Sequence, residues 1–214
     1  MTDPKSSEPQ RLRVALLADT HGQVDARVLA LVAECDIAIH GGDIGSVAVL
    51  ASLQPRLGQV YAVRGNNDVY RKWPAEEQSL LERIPERAQV ELPGGLLVVE
   101  HSHRMAAAGR HERLRRRYPQ ARAIVYGHSH RMVADCEMLP WVLNPGAAGR
   151  SRTYGGPSCM ILSAAAELWE LEEFRFELPR RPERAPERAG ATGGKMGDTT
   201  GRATRGATGN ATGR

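Results

Sequence analysis

Short aliphatic runs that break off at Asp, His, Asn and Gly recur five times in this chain. That repetition restricts the fold more than any other feature. The first run is Val14-Ala15-Leu16-Leu17-Ala18-Asp19-Thr20-His21-Gly22. It is too short for a typical helix and reads as a buried strand. If the segment stays extended to its end, residues two apart point to the same side, so Asp19 and His21 converge. A carboxylate and an imidazole meeting at the carboxyl end of a buried strand suit a divalent metal. The later runs stop at Gly41-Gly42-Asp43, Arg64-Gly65-Asn66-Asn67-Asp68, Glu100-His101-Ser102-His103 and Gly127-His128-Ser129-His130.

Helical spacing separates the first three runs. Val28, Leu29, Leu31 and Val32 predict a helix over Asp25 to Glu34, and a second helix covers Ser46 to Leu53, stopped before Pro55. With strands at Asp36 to His40 and Val60 to Val63, this rhythm predicts parallel strands joined by crossover helices. Three strands then deliver polar residues to one sheet edge, where open α/β sheets bind ligands. A polar helix follows over Pro74 to Arg83. Gln89 to Leu92 and Leu96 to Glu100 flank Pro93-Gly94-Gly95 as a hairpin. A basic helix runs from Ala106 to Tyr118 and a strand from Ala123 to Tyr126. Later strands lie near Met132 to Cys136, Trp141 to Leu143, Cys159 to Leu162 and Glu167 to Glu172. A parallel half followed by a mostly antiparallel half predicts two sheets packed face to face with helices outside.

Charge has to be read by region. From Pro179 onward eight Lys/Arg face three acids, so the excess of five there more than accounts for the net +4 of the whole chain. The body is near neutral and aromatics are only 5%, so neither an electrostatic footprint nor stacking platforms for nucleic acid are expected. Residues 1–10 read as a flexible leader, 11–178 as one domain, and 179–214 as a disordered basic Gly/Ala/Thr/Arg tail with almost nothing apolar to offset its ordering entropy. No run approaches a membrane span and no signal peptide is read at the start. Cys35, Cys136 and Cys159 stand singly in apolar segments, the pattern of buried thiols in the reducing cytoplasm.

The strand-end residues are Asp19, His21, Asp43, Asn66, His101, His128 and His130. Seven ligands crowd one ion and suit two, with Asp43 the natural bridge because each carboxylate oxygen can take a different ion. This hard-to-borderline set favours Mn, then Ni, Fe or Zn, and the absence of Cys argues against a structural zinc site. Two ions about 3.5–4 Å apart clamp an in-line displacement at phosphorus and lower the pKa of a bridging water. Gly22, Gly42, Gly65 and Gly127 are expected to let the backbone turn sharply beside the ions.

Asp-x-His, Gly-Asp, Gly-Asn-x-Asp, a His after a strand and Gly-His-x-His, in that order, resemble the calcineurin-like metallophosphoesterase superfamily, and most of all its small YfcE-type phosphodiesterases. The resemblance covers roughly residues 12 to 175. It implies a four-layer αββα sandwich of two mixed β-sheets flanked by helices. It also implies a binuclear phosphodiesterase that hydrolyses a small phosphate ester by attack of a metal-bridging hydroxide. Carried over position by position, Asp19, His21 and His130 hold one metal, Asn66, His101 and His128 the other, and Asp43 lies between. Asn66 and His101 also help position the phosphate. The Asn144-Pro145-Gly146-Ala147 loop resembles a family segment near the site. Relatives are often dimers, which makes a homodimer the assembly to test.

Two departures stand out. The residue after the liganding Asn is usually His or Cys in relatives; here it is Asn67, whose amide is no useful proton donor near neutral pH. His103 is a substitute donor to consider. Ser102 stands where relatives often have Gly, and a modest loop adjustment is expected. Glu100 is expected to face away from the ligands, His40 to be a hydrogen-bonding group behind them, and His111 to be solvated. Arg104, Arg110, Arg113, Arg115, Arg116 and Arg117 read as a solvated charged face, with Arg104 or Arg110 as alternative phosphate contacts. Arg64, Arg150 and Arg152 are further candidates. Trp73, Trp141 and Trp169 read as core or interface. The rival readings are a scaffold of the same fold, as in the retromer subunit that resembles these enzymes, and a nuclease. The scaffold route is marked by degraded ligands, and all seven are present here.

Overall fold

The computed structural model describes residues 11–178; the expected leader and tail lie outside the described residues. Ten strands form two five-stranded sheets. Strands β1 (Leu12–Leu17), β2 (Ile37–His40) and β3 (Gln59–Ala62) alternate with helices α1 (Ala26–Ala33) and α2 (Val47–Ser52). After two single 3₁₀ turns come α3 (Gln78–Arg83), β4 (Arg87–Leu92), β5 (Gly95–Glu100), α4 (Arg110–Arg117) and β6 (Ala121–Tyr126). The chain continues through β7 (Met132–Asp135), β8 (Trp141–Pro145), β9 (Ser158–Ala164) and β10 (Trp169–Arg175).

The first sheet has the order β10-β9-β1-β2-β3 and the second β4-β5-β6-β8-β7. β1, β2 and β3 are parallel, as the strand–helix rhythm predicts. The second half is mostly antiparallel, as expected, but its strands divide between the two sheets. β9 and β10 return to the first sheet, with β9 antiparallel to β1, while β5, β6 and β8 are mutually parallel at the heart of the second. Strand runs announce burial but not the partner, so the chain's return to β1 was not legible.

Period-two alternation makes the layers. In β1, Val14 and Leu16 enter the core between the sheets, with Val99, Val125 and Leu143 of the other sheet. Ala15 and Leu17 face the opposite way, onto Val28 and Val32 of α1. On the far side of the second sheet, Val98, Ile124 and Tyr126 cover Leu114 of α4. The architecture is therefore helix, sheet, sheet, helix: a four-layer αββα sandwich. Trp169 is buried in the central core and Trp73 beneath α3, with half-buried Trp141 edge-on to Trp169. Cys35 and Cys159 are buried free thiols whose pKa values burial pushes up to about 11 and about 12, whereas Cys136 is only half-buried. Among the described residues no helix is long and apolar enough to cross a membrane.

The basic helix is shorter than expected. Gly109 adopts a left-handed φ of 64° and the helix starts only at Arg110. His111 is not solvated: its Nδ1 lies 2.7 Å from Asp135 Oδ2 and its Nε2 3.0 Å from the Tyr126 hydroxyl. Arg115 donates to Asp135 Oδ1 at 2.5 Å, tying α4 to β7. These bonds, Arg115 foremost, hold the Asp135 carboxyl below its ordinary 3.8. A depressed carboxyl contributes stability that is complete above its unfolded pKa and is lost as pH falls through the lower folded value. Asp135→Asn is therefore expected to lower the melting temperature by about 2–4 °C near pH 7, on the order of 1 kcal/mol. The gap should close below pH 4 as the wild-type carboxyl protonates. A gap that is constant with pH in thermal melts would refute the assignment.

Candidate metal centre

The site lies where β1, β2, β3, β5 and β6 end, and its backbone departs from the extended expectation. β1 stops at Leu17, and Asp19 (φ 54°) and His21 (φ 49°) are left-handed; so are Asp43 (φ 56°), His128 (φ 73°) and His130 (φ 56°). Convergence comes from left-handed turns, not from strand alternation. Such conformations cost a non-glycine residue about 1–3 kcal/mol and persist only where the surroundings over-determine them. Here the two loops pair: Asp19 N donates to Gly42 O (2.9 Å), His21 N to Asp43 O (2.9 Å) and Gly22 N to Ile44 O (2.7 Å). Gly42 (φ 96°) turns as expected, but Gly65 has no positive φ. A Cβ at Gly65 would overlap Asp43 Oδ1 and N, so glycine serves close approach there.

One ligand atom each from Asp19, His21, Asp43 and His130 lies within 4.8 Å of the others. His21 Nε2 is 3.1 Å from His130 Nε2 and 3.9 Å from Asp43 Oδ2, and His130 Nε2 is 3.5 Å from Asp19 Oδ1. The other three candidates adjoin this group. Asn66 Oδ1 is 3.2 Å from His101 Nε2 and 3.0 Å from His128 Nδ1, and His101 Nε2 is 3.4 Å from Asp43 Oδ2. All seven sequence candidates are thus brought together, with Asp43 between the two groups.

Backbone carbonyls set the imidazole rings. His101 Nδ1 donates to Gly41 O (2.8 Å) and His130 Nδ1 to Arg152 O (3.1 Å), which turns both Nε2 lone pairs inward. Buried His40 accepts from Gly42 N through Nδ1 (3.2 Å), so its Nε2 donates to Thr20 Oγ1 (2.9 Å); that hydroxyl donates to Ile44 O. It is the expected group behind the ligands. Buried Asn144 donates to Gly127 O and Ser129 Oγ, both at 3.0 Å, and so holds the His128–His130 loop.

Burial dominates the electrostatics. Asp19 is fully buried, its Oδ2 has no hydrogen-bond partner, and desolvation pushes its pKa up to about 7. Burial also lowers His21, His128 and His130, the last to about 4. Asp43 is pushed up by burial, but His101 and the Asn67 donors outweigh this and hold it below the usual carboxylate range. Two buried carboxylates, one with an orphaned oxygen, beside the His21 and His130 imidazoles that burial keeps from protonating, form a donor set that fits a divalent cation.

The remaining candidates divide. Arg104 forks onto Glu86 at 3.0 and 3.1 Å, and Arg110 donates to Met105 O, so neither meets the site. Arg117 pairs with Glu100, which faces α4 as expected. Arg152 does reach in, with one guanidinium nitrogen 2.8 Å from His21 Nε2. Ser102 has φ 57°, a left-handed conformation that glycine adopts without strain. Asn67 donates its backbone N–H to Asp43 Oδ1 (2.7 Å) and its amide to Oδ2 (2.5 Å). Sequence reasoning gave Asp68 no role, although it is the last residue of Gly-Asn-x-Asp. Its buried carboxylate accepts from Ile44 N, Gly45 N, Gly65 N and Trp73 Nε1.

A model of the calcineurin-like phosphoesterase superfamily domain matches residues 12–167. No curated protein sequence matches the chain. Among solved structures, a predicted phosphoesterase from Streptococcus pneumoniae is 21% identical with a TM-score of 0.56, covering 80% of this chain and 94% of that one. An archaeal phosphodiesterase is also 21% identical (TM-score 0.56; 76% and 100% covered). Vps29 from Entamoeba histolytica, complexed with zinc, is 16% identical (TM-score 0.56; 77% and 99% covered). At such identities the likeness is one of fold.

Proposed function

The chain belongs to the calcineurin-like phosphoesterase superfamily, and from that premise we propose that it is a binuclear, metal-dependent phosphodiesterase acting on a small phosphate ester. The observation that carries this reading is the Asp19/His21/Asp43/His130 cluster, buried except for half-buried His21, continued through Asp43 to Asn66, His101 and His128. Divalent cations bound there, manganese first by ligand type, would supply Lewis-acid stabilisation of phosphate charge and a water of lowered pKa. Asn66 is the exposed member, so its amide lies at the face a phosphate would approach. Arg152 adds a guanidinium at the rim. Intact ligands favour an enzyme over a scaffold of this fold. The free thiols fit a cytoplasmic location.

Exhaustively chelated protein is expected to lose hydrolysis of bis(p-nitrophenyl) phosphate and to regain it on addition of Mn or Ni. Turnover that survives chelation would contradict the proposal.

Asn67 makes a second expectation. Its amide donates to Asp43 and its oxygen accepts from Lys72, so it holds a ligand and has no proton to give a leaving group. General-acid help is commonly worth about 10²–10⁴ in rate. Rates should therefore fall steeply as leaving-group pKa rises, and a flat dependence would mean that another group supplies the proton.

A further inference from the structure

We propose that the crevice beside the centre is a subsite for a second anionic group of the substrate, an inference that rests on the phosphoesterase reading above. The preferred substrates are then phosphate esters that carry another phosphate or a carboxylate near the scissile bond.

The crevice lies between the loops that follow β3 and β5, and Arg64, Arg87, Ser102, His103 and Arg104 are among its walls. It leaves about 50 Å³ to the centres of water-sized spheres, several times what one water needs. Three of its lining residues each carry a buried polar atom without a partner: Arg64 Nε, Ser102 Oγ and His103 Nδ1. Buried polar atoms ordinarily find partners, and each of these three can donate a hydrogen bond.

The charges agree. Glu86 pairs with Arg104 and Glu100 with Arg117. Arg64 and Arg87 have no carboxylate within 4.0 Å among the described residues, so two positive charges remain. The crevice also adjoins the reacting centre. Arg64 stands two residues before Asn66, Ser102 and His103 follow His101, and the His103 ring is 5.6 Å from that of His101 and 6.3 Å from that of His128. Donor-bearing walls with surplus positive charge select an oxyanion.

Three diesters with one p-nitrophenyl leaving group test this: p-nitrophenyl phenyl phosphate, and the analogues with a carboxylate or a phosphate on the phenyl ring. Wild type is expected to favour at least one charged ring by tenfold or more in kcat/KM, and the responding arm names the anion. Arg64→Met should reduce that preference at least tenfold, mainly through KM, and Arg64→Lys should keep part of it. Arg116→Met, on the exposed face of α4, should leave it unchanged. Equal rates for neutral and charged rings, or a preference indifferent to Arg64→Met, would overturn the subsite. If Arg64→Met does not fold, Arg87→Met replaces it under the same criteria.

Titration of Asp43→Asn protein in chelator with benzoate and phenyl phosphate separates the two readings. If no diester is cleaved, the phosphoesterase reading fails, while binding that is lost with Arg64→Met still supports the subsite. Absence of binding by both probes overturns it.

Discussion

Asp43→Asn is expected to abolish turnover of a simple phosphodiester, by about 10³-fold or more, and to leave at most one tightly held metal per chain in place of the two proposed for wild type. Asp43 Oδ2 approaches both groups, 3.4 Å from His101 Nε2 and 3.9 Å from His21 Nε2, and lies closer to His101 than Asp19 Oδ1 does at 4.0 Å. Asparagine preserves the shape but removes one of the two carboxylates of the set. It also turns an NH₂ toward donors, since both Asp43 oxygens accept from Asn67. Loss of one preorganised electrostatic group commonly costs about 10²–10³ in rate, and loss of a shared ligand adds weakened metal binding. Metal analysis after desalting and steady-state kinetics read the two effects, and a cooperative melt in chelator establishes that the variant folds. Inactive protein with an unchanged metal content would remove Asp43 from its bridging place.

What the sequence made legible was the meeting of residues, and what it hid was how they meet. The aliphatic runs fixed β1, β2, β3, β5 and β6, and parallel pairing brought their ends together. Side-chain period alone suggested that Asp19 and His21 converge from an extended strand. The left-handed turns at both arise from pairing with the Gly42–Ile44 segment, a contact between distant parts of the chain that no local pattern reports. Arg110 and His111 were misread for a similar reason: Arg110 is buried and donates to Met105 O, and His111 meets Asp135 on β7, whereas Arg104 stays exposed beside Glu86. Glycine was read through its φ freedom, yet at Gly127 an added Cβ would sit 2.7 Å from Gly41 O and 2.8 Å from His101 Nδ1. Only the fold exposes that constraint.

The same reasoning makes Asp68→Ala the largest stability loss to expect from one substitution near the centre. Asp68 is 4% exposed and touches no other candidate ligand side chain through the bonds described, yet it joins three loops. Oδ1 accepts from Ile44 N (2.9 Å), Gly45 N (3.0 Å) and Trp73 Nε1 (3.1 Å), and Oδ2 from Gly65 N (2.8 Å). These donors belong to the segments just after Asp43 and just before Asn66, and to the tryptophan under α3. Truncation strands three backbone N–H groups and an indole N–H away from water. A buried unpaired donor costs about 1–3 kcal/mol, and hydrogen bonds to a charged acceptor stand at the upper end. With partial relaxation the sum is roughly 3–5 kcal/mol, or about 10 °C in melting temperature at 2–4 °C per kcal/mol. Asp68→Asn keeps one acceptor oxygen and should lose about half as much. Because both loops carry candidate ligands, metal affinity should fall with stability in both variants, by about 10–100-fold, the range for groups that orient ligands. Denaturant melts in chelator, set beside Mn titrations of the folded variants, measure the two losses separately. A variant that binds Mn as tightly as wild type while melting 10 °C lower would show that Asp68 braces the fold without aiming Asp43 or Asn66.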